Sequence, residues 1–114
     1  MVLQDVSDHA AAIAEASRVL GAGGAFCIAI VHPVASAGKL DDDEVMTLGS
    51  YCTAFEQSLP LHEHTVTHYH RSLSGYARAL EEHAFTIEAL REIPTKRKAP
   101  GRYPMFLHLR ARRR

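Results

Sequence analysis

Glu15-Ala16-Ser17-Arg18-Val19-Leu20-Gly21-Ala22-Gly23-Gly24, followed by Ala25-Phe26-Cys27-Ile28-Ala29-Ile30-Val31 and then His32-Pro33, is the stretch that decides the fold. It reads as a helix end, a glycine turn and a buried strand that stops at a polar rim. Residues 25–31 carry no polar side chain. Alternation would leave one face wet; its absence points to a central strand covered on both sides. In an open α/β sheet the rim beyond such a strand is where ligands sit. Gly23-Gly24 precedes the strand, whereas a phosphate-cradling glycine loop follows one, so the pair reads as a tight turn.

Upstream, Met1-Val2-Leu3-Gln4 is a short strand-like run, cut mid-strand. Ser7 or Asp8 caps the next helix, because a short side-chain oxygen accepts an orphan amide hydrogen bond. Ala10, Ile13, Ser17 and Leu20 fall on one face of that helix, and Gly21 stands where a helix terminator is placed. Strand, helix and strand in this order imply a right-handed crossover. Downstream, residues 41–48 read as a short helix with an acidic first turn, and 50–59 are ambiguous. Residues 62–70 are extended. Ser72 or Ser74 opens a helix running to about His83. Strands are expected over 85–90 and 105–109, with an exposed loop over 94–104 and an arginine tail.

The 114 residues make one domain or part of one. Thirteen basic residues balance thirteen acidic ones, so no global field favours nucleic acid or a membrane surface. No apolar run is long enough to span a bilayer, and the N-terminus lacks the pattern of a signal peptide. Cys27 and Cys52 have no metal-type spacing. The chain is expected in the cytoplasm with reduced thiols.

The order of these pieces resembles the C-terminal half of a class I S-adenosylmethionine-dependent methyltransferase, of the small-molecule kind called methyltransferase type 11. "VLQDVSD" resembles the end of that family's fourth strand. "EASRVLGAGGAFCIAIVHP" resembles its E-x-x-R-V-L-x-P-G-G helix, turn and fifth strand. "HYHRSLSGYARALEEHAFTIEALRE" resembles a strand, the R-x-L-x-x-Y-x-x-x-L-x-x-A-G-F helix and the sixth strand, and "PMFLHLRAR" the closing strand. Ala22 replaces the family's proline. Ala84 replaces a glycine that takes a left-handed turn. The resemblance implies a partial α/β Rossmann-like sheet in the order 4, 5, 7, 6, the last strand antiparallel, with flanking helices. It also implies S-adenosylmethionine as cofactor and a small-molecule methyl acceptor. The family's glycine-rich cofactor loop lies upstream of anything in this chain. Catalysis by the chain alone is therefore not expected, and a second copy or a partner chain is expected to complete the sheet. A non-catalytic partner subunit is the alternative.

By the same resemblance, Leu3, Gln4 and Asp5 lie where the cofactor is bound, and Tyr51, His70 and Arg71 near the acceptor. His32, at the strand exit, is the candidate general base, since imidazole titrates near neutrality; a half-exposed histidine set by the following proline is the plainer reading. Arg71 could clamp a carboxylate or phosphate of the acceptor, or pair with a surface acid such as Glu81. His62, His64, His68 and His70 share parity, which in one strand puts them on one face. A histidine-rich metal protein is the third reading, yet the outer pairs are roughly 20 Å apart along a strand, and a wet hairpin face accounts for them better. The runs around Lys96-Arg97-Lys98 and Arg110 to Arg114 read as solvated surface.

Overall fold

Asp8 closes the first turn of helix α1 (His9–Leu20) by accepting from the Ala11 amide at 2.9 Å. Gly21 ends it at φ 65°, and Gly23, at φ 82°, turns the chain into strand β1 (Ala25–Val31). These come from a computed structural model, which describes residues 2–96 and 99–114; Arg97 and Lys98 of the basic run lie outside the described residues.

Helix α2 (Pro33–Ala37) follows at once, with proline in its first turn. A small hairpin of β2 (Gly38–Leu40) and β3 (Met46–Leu48) comes next. The helix expected over 41–48 is not formed. Asp41 instead turns its carboxylate onto the amides of Asp43 and Val45, at 2.9 and 2.8 Å, which fixes a turn. A longer hairpin joins β4 (Phe55–Leu61) to β5 (His64–His70) through His62 and Glu63. Helix α3 (Leu73–Glu82) is capped by Ser72, which accepts from the Gly75 amide at 3.1 Å. Strands β6 (Phe85–Pro94) and β7 (Pro104–Arg113) complete the chain.

The main sheet has the order β1-β7-β6, with β7 antiparallel to both neighbours. That is the expected 5, 7, 6 arrangement. The strand expected at residues 1–4, of which Met1 lies outside the described residues, is replaced by a 3₁₀ turn, Leu3–Asp5. Its amides close on carbonyls three residues back, Asp5 on Val2 at 2.8 Å, where a strand would need a neighbour. No crossover therefore forms, and β1 is an edge strand among the described residues. Nor is β1 covered on both faces: Ile28 and Ile30 are buried while Ala25, Cys27 and Ala29 are exposed. One face of the sheet packs on the helices, where Ile13, Tyr76, Leu80, Phe85, Leu107 and Leu109 form the core; the other is open.

The arginine tail as far as Arg113 is part of β7. Leu107, Leu109 and Ala111 are buried, and His108, Arg110 and Arg112 alternate with them on the open face. Glu88 accepts from Arg110 and Arg112, both at half-exposed sites.

Ala84 holds the turn between α3 and β6 at φ 67°. A side chain with a Cβ is strained there, and glycine is not. Ala84→Gly should therefore stabilise the protein by about 0.5–1 kcal/mol in urea unfolding; a loss of stability would show that the alanine methyl contributes packing that outweighs the strain.

Candidate functional site

The rim beyond β1 is built from three chain segments. His32 caps α2, its Nδ1 accepting from the Val34 amide at 3.0 Å. An accepting Nδ1 puts the ring proton on Nε2 in the neutral form, and that nitrogen lies 2.7 Å from Glu92 Oε2. His32 is only 3% exposed. The position expected at the strand exit is correct, but both nitrogens are engaged. The ring holds α2 and a carboxylate and offers no free lone pair to a substrate. Glu92 is the outward member, its side chain 53% exposed.

One turn further along α2, Ser36 Oγ meets His70 Nδ1, and His70 Nε2 donates to the Tyr51 carbonyl at 2.7 Å. Phe55 stacks on the His70 ring at 4.7 Å between centroids, and Tyr51 meets it edge-on at 5.7 Å. The Tyr51 hydroxyl accepts from the Leu73 amide at 3.3 Å. The expected acceptor contacts Tyr51 and His70 are thus brought together, but on each other. A cleft of 520 Å³ opens beside them, lined by Ser36, Lys39, Asp41, Phe55 and Gln57.

Arg71 does neither thing expected of it. Its guanidinium donates to the carbonyls of Leu3 at 2.8 Å, Val6 and Ser7 at 3.0 Å, and rests 5.5 Å from the Tyr69 ring. It binds the hairpin to the chain entering α1. Burial, helped by this charge, lowers the pKa of His9 and of His68, favouring their neutral forms. Burial likewise raises that of Tyr76.

The four histidines do not share an exposed face. His62 lies in the hairpin turn at φ 55°, His64 is exposed near the tip, and His68 and His70 are buried at the root. Among the described residues no three His, Cys, Asp or Glu side chains gather as metal ligands would.

Leu3 and Gln4 are buried and Asp5 is exposed. The groove beside them, of 380 Å³, is lined by Val2, Leu3, Ala12, Ala16 and residues 26–29 of β1. None of these side chains is charged. A nucleoside sulfonium carrying an amino-acid group needs polar partners, so the lining of this groove does not by itself fit S-adenosylmethionine.

No protein-family model and no curated protein matches the chain. Solved structures do. A protein of Listeria monocytogenes assigned as an S-adenosylmethionine-dependent methyltransferase superposes with TM-score 0.83 and 20% identity, over 100% of this chain and 59% of that one. The fold is methyltransferase-like. An S-adenosylmethionine-dependent methyltransferase from Mesorhizobium loti matches with TM-score 0.75 and 24% identity, over 99% of this chain and again 59% of the other. The chain therefore spans under two thirds of the length of the methyltransferases it is similar to.

Glu92 and Ser36 are the site residues that sequence reasoning missed. His32-Pro33 carried a signal for Ser36: a capping side chain before proline opens a helix and places Ser36 one turn on. Nothing local points to Glu92, 60 residues from its partner.

Proposed function

We propose that this chain is the acceptor-side half of an S-adenosylmethionine-dependent methyltransferase acting on a small molecule, of the type 11 kind its motif order resembles. The observation that carries the reading is the methyltransferase-like sheet left open at β1, where a cofactor-binding half would add. That half, from further chain or from a partner, holds the cofactor. In this half Glu92 takes the acceptor's proton and His32 positions the carboxylate, while the cleft beside Ser36 has room for a small acceptor. No helix among the described residues is long and apolar enough to cross a membrane. Cys27 and Cys52 are free, which suits the reducing cytoplasm proposed for it.

Ultraviolet cross-linking with methyl-tritiated S-adenosylmethionine tests this. The isolated chain takes no label. The chain drawn from its own cells with whatever completes its sheet takes label, and there Glu92→Gln slows methyl transfer about a hundredfold. Label on the isolated chain overturns the half-domain reading; label on neither preparation overturns methyl transfer. The apolar lining beside β1 favours one second reading, a non-catalytic subunit, for which the assembly binds cofactor and Glu92→Gln changes no rate.

A further inference from the structure

The two margins of the main sheet are built differently. The β6 margin carries a bulge between Ile87 and Ala89, a terminal Pro94, and the charges Glu88, Arg91 and Glu92. Those are the devices that stop a strand from pairing with a stranger. The β1 margin has none of them: Ala25 to Val31 is regular, uncharged and free of proline.

Its open hydrogen-bonding groups can be assigned. His32 N donates to Met105 O, and Arg113 N to Gly24 O. Bonds in an antiparallel ladder recur every second residue, so even-numbered residues of β1 face β7. Ala25, Cys27, Ala29 and Val31 turn their amides and carbonyls outward.

We propose that the isolated chain pairs with a second copy of itself through β1, antiparallel about a two-fold axis at Ile28. In that register Ala25 lies opposite Val31 of the second copy, and Cys27 opposite its Ala29, so every outward amide and carbonyl finds a partner. A shift by one residue would oppose outward groups to inward ones; a shift by two would leave some unpaired. The faces agree as well. Phe26 lies opposite Ile30, and Ile28 opposite Ile28, on the helix-covered side, where Phe26 and Ile28 line the uncharged 380 Å³ groove. Such an isologous contact closes on itself as a dimer with one continuous sheet. The inference goes beyond the half-domain reading and needs neither cofactor nor methyl transfer.

Sedimentation equilibrium should give twice the monomer mass. Ala29→Pro removes an outward amide and leaves the β7 ladder intact; it should return the mass to that of a monomer with unchanged far-ultraviolet circular dichroism. In Cys52→Ser with Ala29→Cys, Cys27 faces residue 29 of the second copy at about 5.5 Å between Cα atoms, and mild oxidation should give a doubly bridged dimer. The wild-type Cys27 pair is offset by two residues and should not bridge. A monomer of the isolated chain at every concentration overturns the proposal. So does a dimer that Ala29→Pro leaves intact, or a Cys27–Cys27 bridge. Should Ala29→Pro fail to fold, the oxidation result decides.

Discussion

Arg71→Met should lower the stability of the protein by about 3 kcal/mol, since each buried carbonyl left without a donor costs about 1–3 kcal/mol. The carbonyls of Val6 and Ser7 take their donor from this one guanidinium, and that of Leu3 shares it with the Val6 amide at 3.4 Å. Methionine fills the volume and supplies none of the bonds. For a domain of this size the melting temperature should drop by roughly 12 °C. Arg71→Lys should recover part of the loss, because a compact ammonium reaches fewer carbonyls than a planar fork. A second readout separates this from loss of packing. The guanidinium charge is among the causes that lower the pKa values of His9 and His68. In Arg71→Met their titration midpoints, followed by NMR, should therefore move up. Unchanged stability would show that the three carbonyls are satisfied by water in solution.

His70→Ala should cost about 3 kcal/mol, the range found when a fully buried ring is cut back to a methyl group. The ring is 1% exposed, stacked on Phe55, and bonded to Ser36 on one side and the Tyr51 carbonyl on the other. His70→Phe preserves the stack and removes both bonds, so it should cost about 1–2 kcal/mol, the desolvation of the Tyr51 carbonyl. Amide hydrogen exchange should rise at 33–37 and 50–54 in both variants, since His70 ties those segments together. Equal stability of His70→Ala and wild type in urea would mean that the ring is free for a ligand, as its expected place beside the acceptor implied.

These two residues also show where sequence reading ends. Asp8 and Ser72 were each legible as one of two candidate caps and Gly21 as a helix stop, because those signals are local; the place of β7 between its neighbours followed from the family resemblance. Residues 41–48 misled, since an acid that favours a helix start also favours a turn, and Asp41 spends its carboxylate on the turn. The arginines misled because the alternation of Leu107, Leu109 and Ala111 runs on beneath them, so the half-buried strand extends past the expected end at residue 109. Edge character could not be read from β1 at all: an apolar run looks the same whether both faces are covered or one. Arg71, His70 and His32 were found by residue type and place, yet their partners lie 68, 34 and 60 residues away, beyond any local pattern. Tertiary contact turned three candidate ligand contacts into supports.

The ribbon of β4 and β5 is clamped at one end only. Phe55 and His70 are stacked beside Tyr51 and Ser36, whereas Leu61, His62 and His64 stand in solvent at the far end. It is a cantilever about 20 Å long. A molecule leaning on its tip applies a torque, and the pivot of that torque is the pair His70 and Arg71, one gripping the short helix after β1 and the other the entry to the first long helix.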